Sequence, residues 1–223
     1  MILDMPPLPE ATRALLVAPE RALSDQQDEG FVALACWFHE AHRQAPGGLS
    51  IEIGTRHGGS AWLCLKILET RYPDPALRPA LFTVDPYGGK PYYGGDGVFW
   101  DIYGDADYTR AKNLLAGFPN HAHFLLTGES FFGTLLGATY WRNAREHTID
   151  QLTFVFLDGD HDARTVIKEL TVAWDTLAPG GIILIDNVDK APGLSEQIVK
   201  FCSGAKAAKF WRSATQIALM WCP

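Results

Sequence analysis

Carboxylates stand at the ends of four apolar runs: Glu52 and then Gly54 in "LSIEIG", Asp85 in "LFTVD", Asp158 in "LTFVFLD", and Asp186 with Asn187 in "IILIDN". Each offers distinct chemistry. A carboxylate just ahead of a glycine turn, as Glu52 is, repels a diphosphate but pairs with an ammonium group. Asp85 is placed to accept two hydrogen bonds from a ribose diol. Asp158, Asp186 and Asn187 carry hard oxygens that suit Mg²⁺, Ca²⁺ or Mn²⁺, Mg²⁺ first among them. His161 follows Asp158 by three residues, and an imidazole takes a hydroxyl proton near neutral pH.

The glycine loop "GTRHGGS" narrows the ligand. A dinucleotide fingerprint wants glycine at the first, third and sixth positions, so that the backbone can touch a pyrophosphate. Here Arg56 occupies the second of those positions. A lysine-bearing phosphate loop is absent too, so phosphate binding is poorly supported. The simpler use of the glycines is a tight strand-to-helix turn. An ammonium partner at Glu52 and a ribose partner at Asp85, without phosphate between them, outline S-adenosylmethionine.

These side chains need a scaffold that brings strand ends together. The apolar patterning predicts strands over residues 49–53, 81–84, 123–126, 152–157 and 182–186, and helices over 25–43, 59–70, 109–116, 163–177 and 195–201. Phe31, Leu34, Phe38 and Ala41 recur at helical spacing, and "LTFVFL" is a continuous apolar run of the kind buried parallel strands show. "KFWRS" and "QIALMWC" pair as a terminal hairpin. Strand–helix alternation implies an α/β fold: a Rossmann-like, doubly wound, mostly parallel sheet with a C-terminal antiparallel hairpin. Residues 1–48 form an arm and helix packing on the core, and 49–223 the cofactor-binding domain, a single domain overall. Ligands of such sheets lie outside the carboxyl ends of the strands, where the acidic residues fall. Neighbouring strands place the ends at Asp158 and Asp186 about 5 Å apart.

"EIGTRHGGSA", "FTVDPY", "FVFLDGDHDARTVIKEL" and "LAPGGIILIDNVD" together resemble the successive motifs of class I S-adenosylmethionine-dependent methyltransferases. The last two are most similar to the small-molecule O-methyltransferase branch, with its macrocin-type and, more distantly, catechol-type enzymes. The resemblance implies that Gly54, with Thr55, Gly58 and Ser60, lies under the methionine part of the cofactor. Asp85 would hold the ribose hydroxyls. Gly128 and Glu129, in "TGES", would contact adenine, and Asp158 would line the same site. The Asp158, Asp186 and Asn187 set matches the cation ligands of catechol-type enzymes. His161 stands where those enzymes carry a lysine base, a departure that leaves it as base or as a fourth ligand. The implied reaction is methyl transfer to a hydroxyl of a small molecule such as a sugar, phenol or polyketide.

Simpler roles compete for the same residues. Asp158-Gly159-Asp160 can be a turn with Asp162 capping the next helix, and Asp186-Asn187 can cap the chain after its strand. His57 is a lone loop histidine. A metal-independent methyltransferase relying on His161 or Asp160, a nicotinamide-dependent oxidoreductase, and a partner-binding scaffold are the alternatives.

Composition excludes other classes. A net charge of −7 without basic runs disfavours nucleic acid. No apolar stretch is long enough to span a membrane and no signal peptide is evident. Cys36, Cys64, Cys202 and Cys222 fit no metal spacing and read as reduced thiols of a cytoplasmic protein, with a disulfide left open. The segment 86–108 is rich in glycine and aromatics, as an acceptor-binding lid would be. Trp37, Trp62, Trp141, Trp174, Trp211 and Trp221 read as core or interface residues, and a pair of exposed apolar surfaces would permit a homo-oligomer.

Overall fold

The computed structural model describes residues 2–24, 26, 28–88, 92–94, 97–99, 104–142, 144–205 and 208–222. In chain order the elements are α1 (Glu10–Arg13), α2 (Asp28–Gln44), β1 (Leu49–Ile53), α3 (Gly59–Arg71), β2 (Leu81–Val84), β3 (Tyr92–Gly94), β4 (Gly97–Phe99), α4 (Asp105–Leu115), β5 (His121–Phe124), α5 (Gly128–Leu135), β6 (Thr139–Arg142), β7 (Arg145–Thr148), β8 (Leu152–Leu157), α6 (Ala163–Asp175), β9 (Leu177–Ile185), α7 (Leu194–Gly204), β10 (Ala208–Arg212) and β11 (Ile217–Trp221). Two 3-10 turns, Ala14–Val17 and Pro19–Leu23, carry the chain from α1 towards α2.

The principal sheet runs β10-β11-β9-β8-β1-β2-β5. Strands β9, β8, β1, β2 and β5 are mutually parallel, and β11 returns antiparallel between β9 and β10. This is the doubly wound, mostly parallel arrangement that the patterning predicts, closed by its terminal hairpin. Every residue of β1 and β8 is buried, because helices cover both faces of the sheet. On one face Ile51, Ile53, Val155, Leu157, Ile183 and Ile185 pack under α5, α6 and α7. On the other, Phe154, Phe156 and Leu184 meet α2 and α3. Phe38 of α2 meets Phe154 edge-on at 5.0 Å between ring centroids, so the helical stripe read from Phe31, Leu34, Phe38 and Ala41 is the buried one.

The register fixes the functional rim. Val84, Ile53, Leu157 and Ile185 lie in one row across β2, β1, β8 and β9. The residues that follow them are Asp85, Gly54, Asp158 and Asp186. Four adjacent strands therefore release their chains at the same level.

Several boundaries differ from the sequence expectation. Strand β5 lies two residues earlier than expected, α4 begins at Asp105 instead of 109, and β9 already starts at Leu177, taking "APGG" into the strand. The hairpin β6–β7 has no counterpart in the apolar pattern. All four cysteines are free, three of them buried. Among the described residues no helix is long and apolar enough to cross a membrane.

Candidate active site

Gly54 has φ +94, and a Cβ there would stand 2.2 Å from the Asp158 carbonyl oxygen. Only glycine permits both the left-handed backbone and that approach of β1 to the turn after β8. The expected result of Gly54→Ala is a loss of about 3 kcal/mol or more of unfolding free energy, read by chemical denaturation. A loss under about 1 kcal/mol would mean that the two turns are not locked together.

The chain then loops through Arg56, itself at φ 43, and enters α3. Glu52 points to the α3 side of the sheet and is 2% exposed. Its Oε1 accepts a hydrogen bond from the Ser60 hydroxyl in the first turn of α3. Its Oε2 is buried without a partner among the described residues. Burial, opposed by the Ser60 bond and reinforced by Asp85, pushes the Glu52 carboxyl up to about 8.

Asp85 is held by backbone: the Arg56 N–H donates to Oδ2 at 2.9 Å and the Tyr87 N–H to Oδ1 at 3.0 Å. Burial raises its pKa while these amides draw it back. A carboxylate has further lone pairs, so both oxygens remain able to accept from a ligand. Tyr87 ties the site to the following insert: its hydroxyl donates to the Arg56 carbonyl, and its ring lies 5.4 Å from those of Tyr108 and His123. His57 is not an isolated loop histidine, since its Nε2 lies 2.5 Å from Asp107 Oδ1 in α4. Trp100 and Tyr103, and the side chains of Tyr92, Tyr93 and Phe99, lie outside the described residues.

Asp158 and Asp186 end neighbouring strands, as the fold order implies. Asn187, at φ 55, bridges them: its Nδ2 donates to Asp158 Oδ1 at 3.1 Å and to Asp186 Oδ2 at 3.4 Å. Burial, then the charges of Asp186 and Glu52, push the Asp158 carboxyl well above the usual range. Burial also raises Asp186, against the hydrogen bonds offered by Gln216 and the Asn187 backbone. The turn reading holds alongside: Asp160 Oδ1 accepts the Asp162 N–H at 2.9 Å, and Asp162 caps α6 through Thr165 N at 3.0 Å. Burial, then the Lys190 charge, lowers the His161 pKa, leaving a neutral imidazole able to accept a proton.

A cleft of about 820 Å³ opens over these strand ends. Gly54, Thr55, Ser60, Asp85, Gly128, Glu129, Asp158, His161 and Asn187 all line it. Glu52 is behind Ser60, and Asp186 behind Asn187. Gly58 faces Leu115 and Ala111 of α4 instead of the cleft, because its role is the left-handed turn at φ +85. The sequence reading did not assign Ser24, Arg56, Ser130 or Glu169 to the same walls, whereas Tyr87 belongs to the aromatic segment it expected to cover the acceptor. Glu169 left a signal: it is a carboxylate on the apolar stripe of α6, beside Val166, Leu170 and Ala173. It is 4% exposed, and burial, then Asp160 and Glu129, push it up to about 8.

Two acids do not by themselves make a closed metal cage. Among the described residues no cluster of three or more histidine, cysteine or acidic side chains is arranged around a common ion position. The donor set at Asp158, Asp186 and Asn187 still fits a hard cation. Two mutually repelling buried carboxylates call for positive charge between them, and hard cations accept amide oxygens and water for the remainder.

A wound parallel sheet with an antiparallel last strand, an acidic rim and a glycine turn after the first strand defines the class I methyltransferase fold. The profile of the methyltransferase domain family matches residues 51–188, more than half of the chain, and the chain belongs to that family. No curated protein matches the sequence. Solved structures with the same fold include the O-methyltransferase TomG from Streptomyces achromogenes, involved in tomaymycin synthesis and in complex with SAM, at 16% identity and TM-score 0.56, covering 100% of this chain and 92% of that one. The O-methyltransferase from Bacillus cereus in complex with SAH is similar at 13% identity and TM-score 0.57, covering 96% and 92%. The O-methyltransferase NovP is similar at 17% identity and TM-score 0.56, covering 83% and 78%. This assignment leaves the nicotinamide and scaffold alternatives without support.

Proposed function

We propose that this methyltransferase takes its methyl group from S-adenosylmethionine and delivers it to a hydroxyl of a small molecule, with a divalent cation at Asp158, Asp186 and Asn187. The observation that carries the reading is the row of strand ends that puts Asp85, Gly54, Asp158 and Asp186 on one rim. Gly54 and Thr55 underlie the methionine portion, and Ser60 links it to the charge of Glu52. Asp85 receives the ribose diol. Gly128 and Glu129, at the start of α5, border the adenine. The SAM-bound and SAH-bound neighbours support the choice of cofactor.

A divalent cation held by Asp158, Asp186 and Asn187 would lower the pKa of an acceptor hydroxyl and fix its orientation. His161 takes the hydroxyl proton, which its depressed pKa permits at neutral pH. Asn187 orients both carboxylates through its side-chain amide. Tyr87, which lines the cleft, borders the acceptor side, where a sugar, phenol or polyketide hydroxyl would enter.

Isothermal titration with S-adenosylmethionine tests the cofactor assignment. Asp85→Asn is expected to weaken binding by about a hundredfold, the loss of two charge-assisted hydrogen bonds at about 1.5 kcal/mol each. Unchanged affinity would remove Asp85 from the ribose site. Assay in excess EDTA tests the cation, and full activity there would favour the metal-independent alternative.

A further inference from the structure

The cation assignment leaves a nearby side-chain amide unused at Asp158, as it leaves Gln216 beside Asp186. Gln26, from the strap between the Pro19–Leu23 turn and α2, reaches across the sheet rim to Asp158. Its Nε2 lies 3.4 Å from Asp158 Oδ2. The residue is only 8% exposed, yet its Oε1 is buried with no partner among the described residues. An unpaired buried amide oxygen costs free energy unless something completes it.

Arg21 donates to the Gln26 carbonyl at 2.5 Å and to the Ser24 carbonyl at 3.2 Å, pairs with Asp28 at 3.1 Å, and lies 4.3 Å over the Phe31 ring. Gly59 lets the strap touch the first turn of α3, where a Cβ would meet the Ser24 nitrogen at 2.5 Å. Gln26 is thus held at the acidic pair through the bonds of Arg21 to its carbonyl and to that of Ser24.

Two amides now face Asp158 with their nitrogens, Gln26 on one oxygen and Asn187 on the other. That is how neutral amides answer an anion. A half-turn of each terminal amide exchanges nitrogen for oxygen at little steric cost. Both would then face the same point with oxygens, and the orphaned Gln26 Oε1 would gain a partner. A hard divalent ion wants six or more oxygens, whereas only two carboxylates are at hand. The geometry points to Gln26 as a fourth protein donor: we infer that its Oε1 joins Asp158, Asp186 and Asn187 around the divalent cation. The inference rests on the cation assignment under the proposed function and extends it to the N-terminal strap.

The test uses Mn²⁺ alone with the full chain, its binding followed by the loss of the free-ion electron paramagnetic resonance signal, together with a crystal structure of the Mn²⁺-soaked protein. Wild type is expected to bind. Gln26→Ala is expected to weaken Mn²⁺ about tenfold or more, while Gln26→Glu, which restores an oxygen donor, retains binding. Thermal melts of both variants confirm that they fold. Gln26 Oε1 within bonding distance of Mn²⁺ in the crystal completes the expected result. If wild type binds Mn²⁺ at Asp158 and Asp186 but Gln26 stands outside its coordination shell, or if Gln26→Ala binds as well as wild type, the role of Gln26 is overturned and the cation site stands. If wild type binds no Mn²⁺, the cation site falls and takes this inference with it.

Discussion

Replacing Asp158 with asparagine is expected to lower methyl transfer by about 10²–10³-fold while leaving the fold as stable as before at neutral pH. The two halves of that expectation have one cause. In the protein as it stands, burial and the nearby charges of Asp186 and Glu52 hold the Asp158 carboxyl well above its usual range. An ionised Asp158 therefore works against folding, and this penalty grows as pH rises from its unfolded pKa towards its folded one. Asparagine keeps the shape and still offers an oxygen to the Gln26 or Asn187 amide, with no charge to bury. What it cannot do is hold a cation beside the acceptor or balance the positive charge of the reacting centre. Methyl transfer from labelled cofactor to an acceptor found by screening sugars, phenols and polyketide hydroxyls gives the rate, and a thermal melt gives the stability. A variant retaining more than about a tenth of wild-type turnover would remove Asp158 from the chemistry. A variant that simply unfolds would show Asp158 to be structural.

The parts of the site that were legible in the sequence are those where an apolar run and a polar residue share a strand. "LTFVFL" announces a buried β8, and Asp158 must then emerge at its end. Such logic locates Asp85 and Asp186 equally well, because strand ends are set by the same burial that makes the strands visible. Elements without an apolar period left no such trace. In β6–β7 exposed positions alternate with half-buried ones in the first strand and run unbroken through the second, so no hydrophobic face advertises the hairpin. The first turn of α4 has no apolar repeat either, and the residue capping it is Gly104, whose N–H donates to Asp107 at 3.1 Å. Its start therefore lacked the usual side-chain cap signal. Strand β5 is an edge strand, half-buried throughout, so the apolar Leu125 and Leu126 just beyond it drew the expected strand two residues too far. Gln26 was illegible for a different reason. It meets Asp158 across 132 residues of sequence, and only the assembled sheet and its braced strap bring them together.

Cofactor affinity is expected to rise with pH, about tenfold per unit from pH 6 to pH 8, and to level off above. Glu52 is responsible. In the empty cleft its carboxyl is pushed up to about 8 from an ordinary 4.5, chiefly by burial. Below pH 8 it is therefore mostly protonated and neutral. The ammonium group of S-adenosylmethionine, brought against Ser60, favours the ionised form and lowers that pKa. Binding then expels a proton, and each unit of rising pH makes the expulsion easier until Glu52 is ionised beforehand. Folding carries the opposite sign, because it takes up the proton that binding expels: cofactor-free protein loses stability as pH climbs from about 4.5 towards 8, and bound cofactor restores it. Titration calorimetry in two buffers of different ionisation enthalpy counts the proton directly, with close to one released at pH 7. S-adenosylhomocysteine carries the same ammonium and is expected to show the same slope, which separates Glu52 from groups that answer the sulfonium. Glu52→Gln preserves the bond to Ser60 but cannot ionise, so its affinity is expected to be flat across this range and about tenfold weaker than wild type at pH 8. A wild-type affinity that does not vary between pH 6 and 8, with no proton released, would show that the ammonium does not reach the field of Glu52.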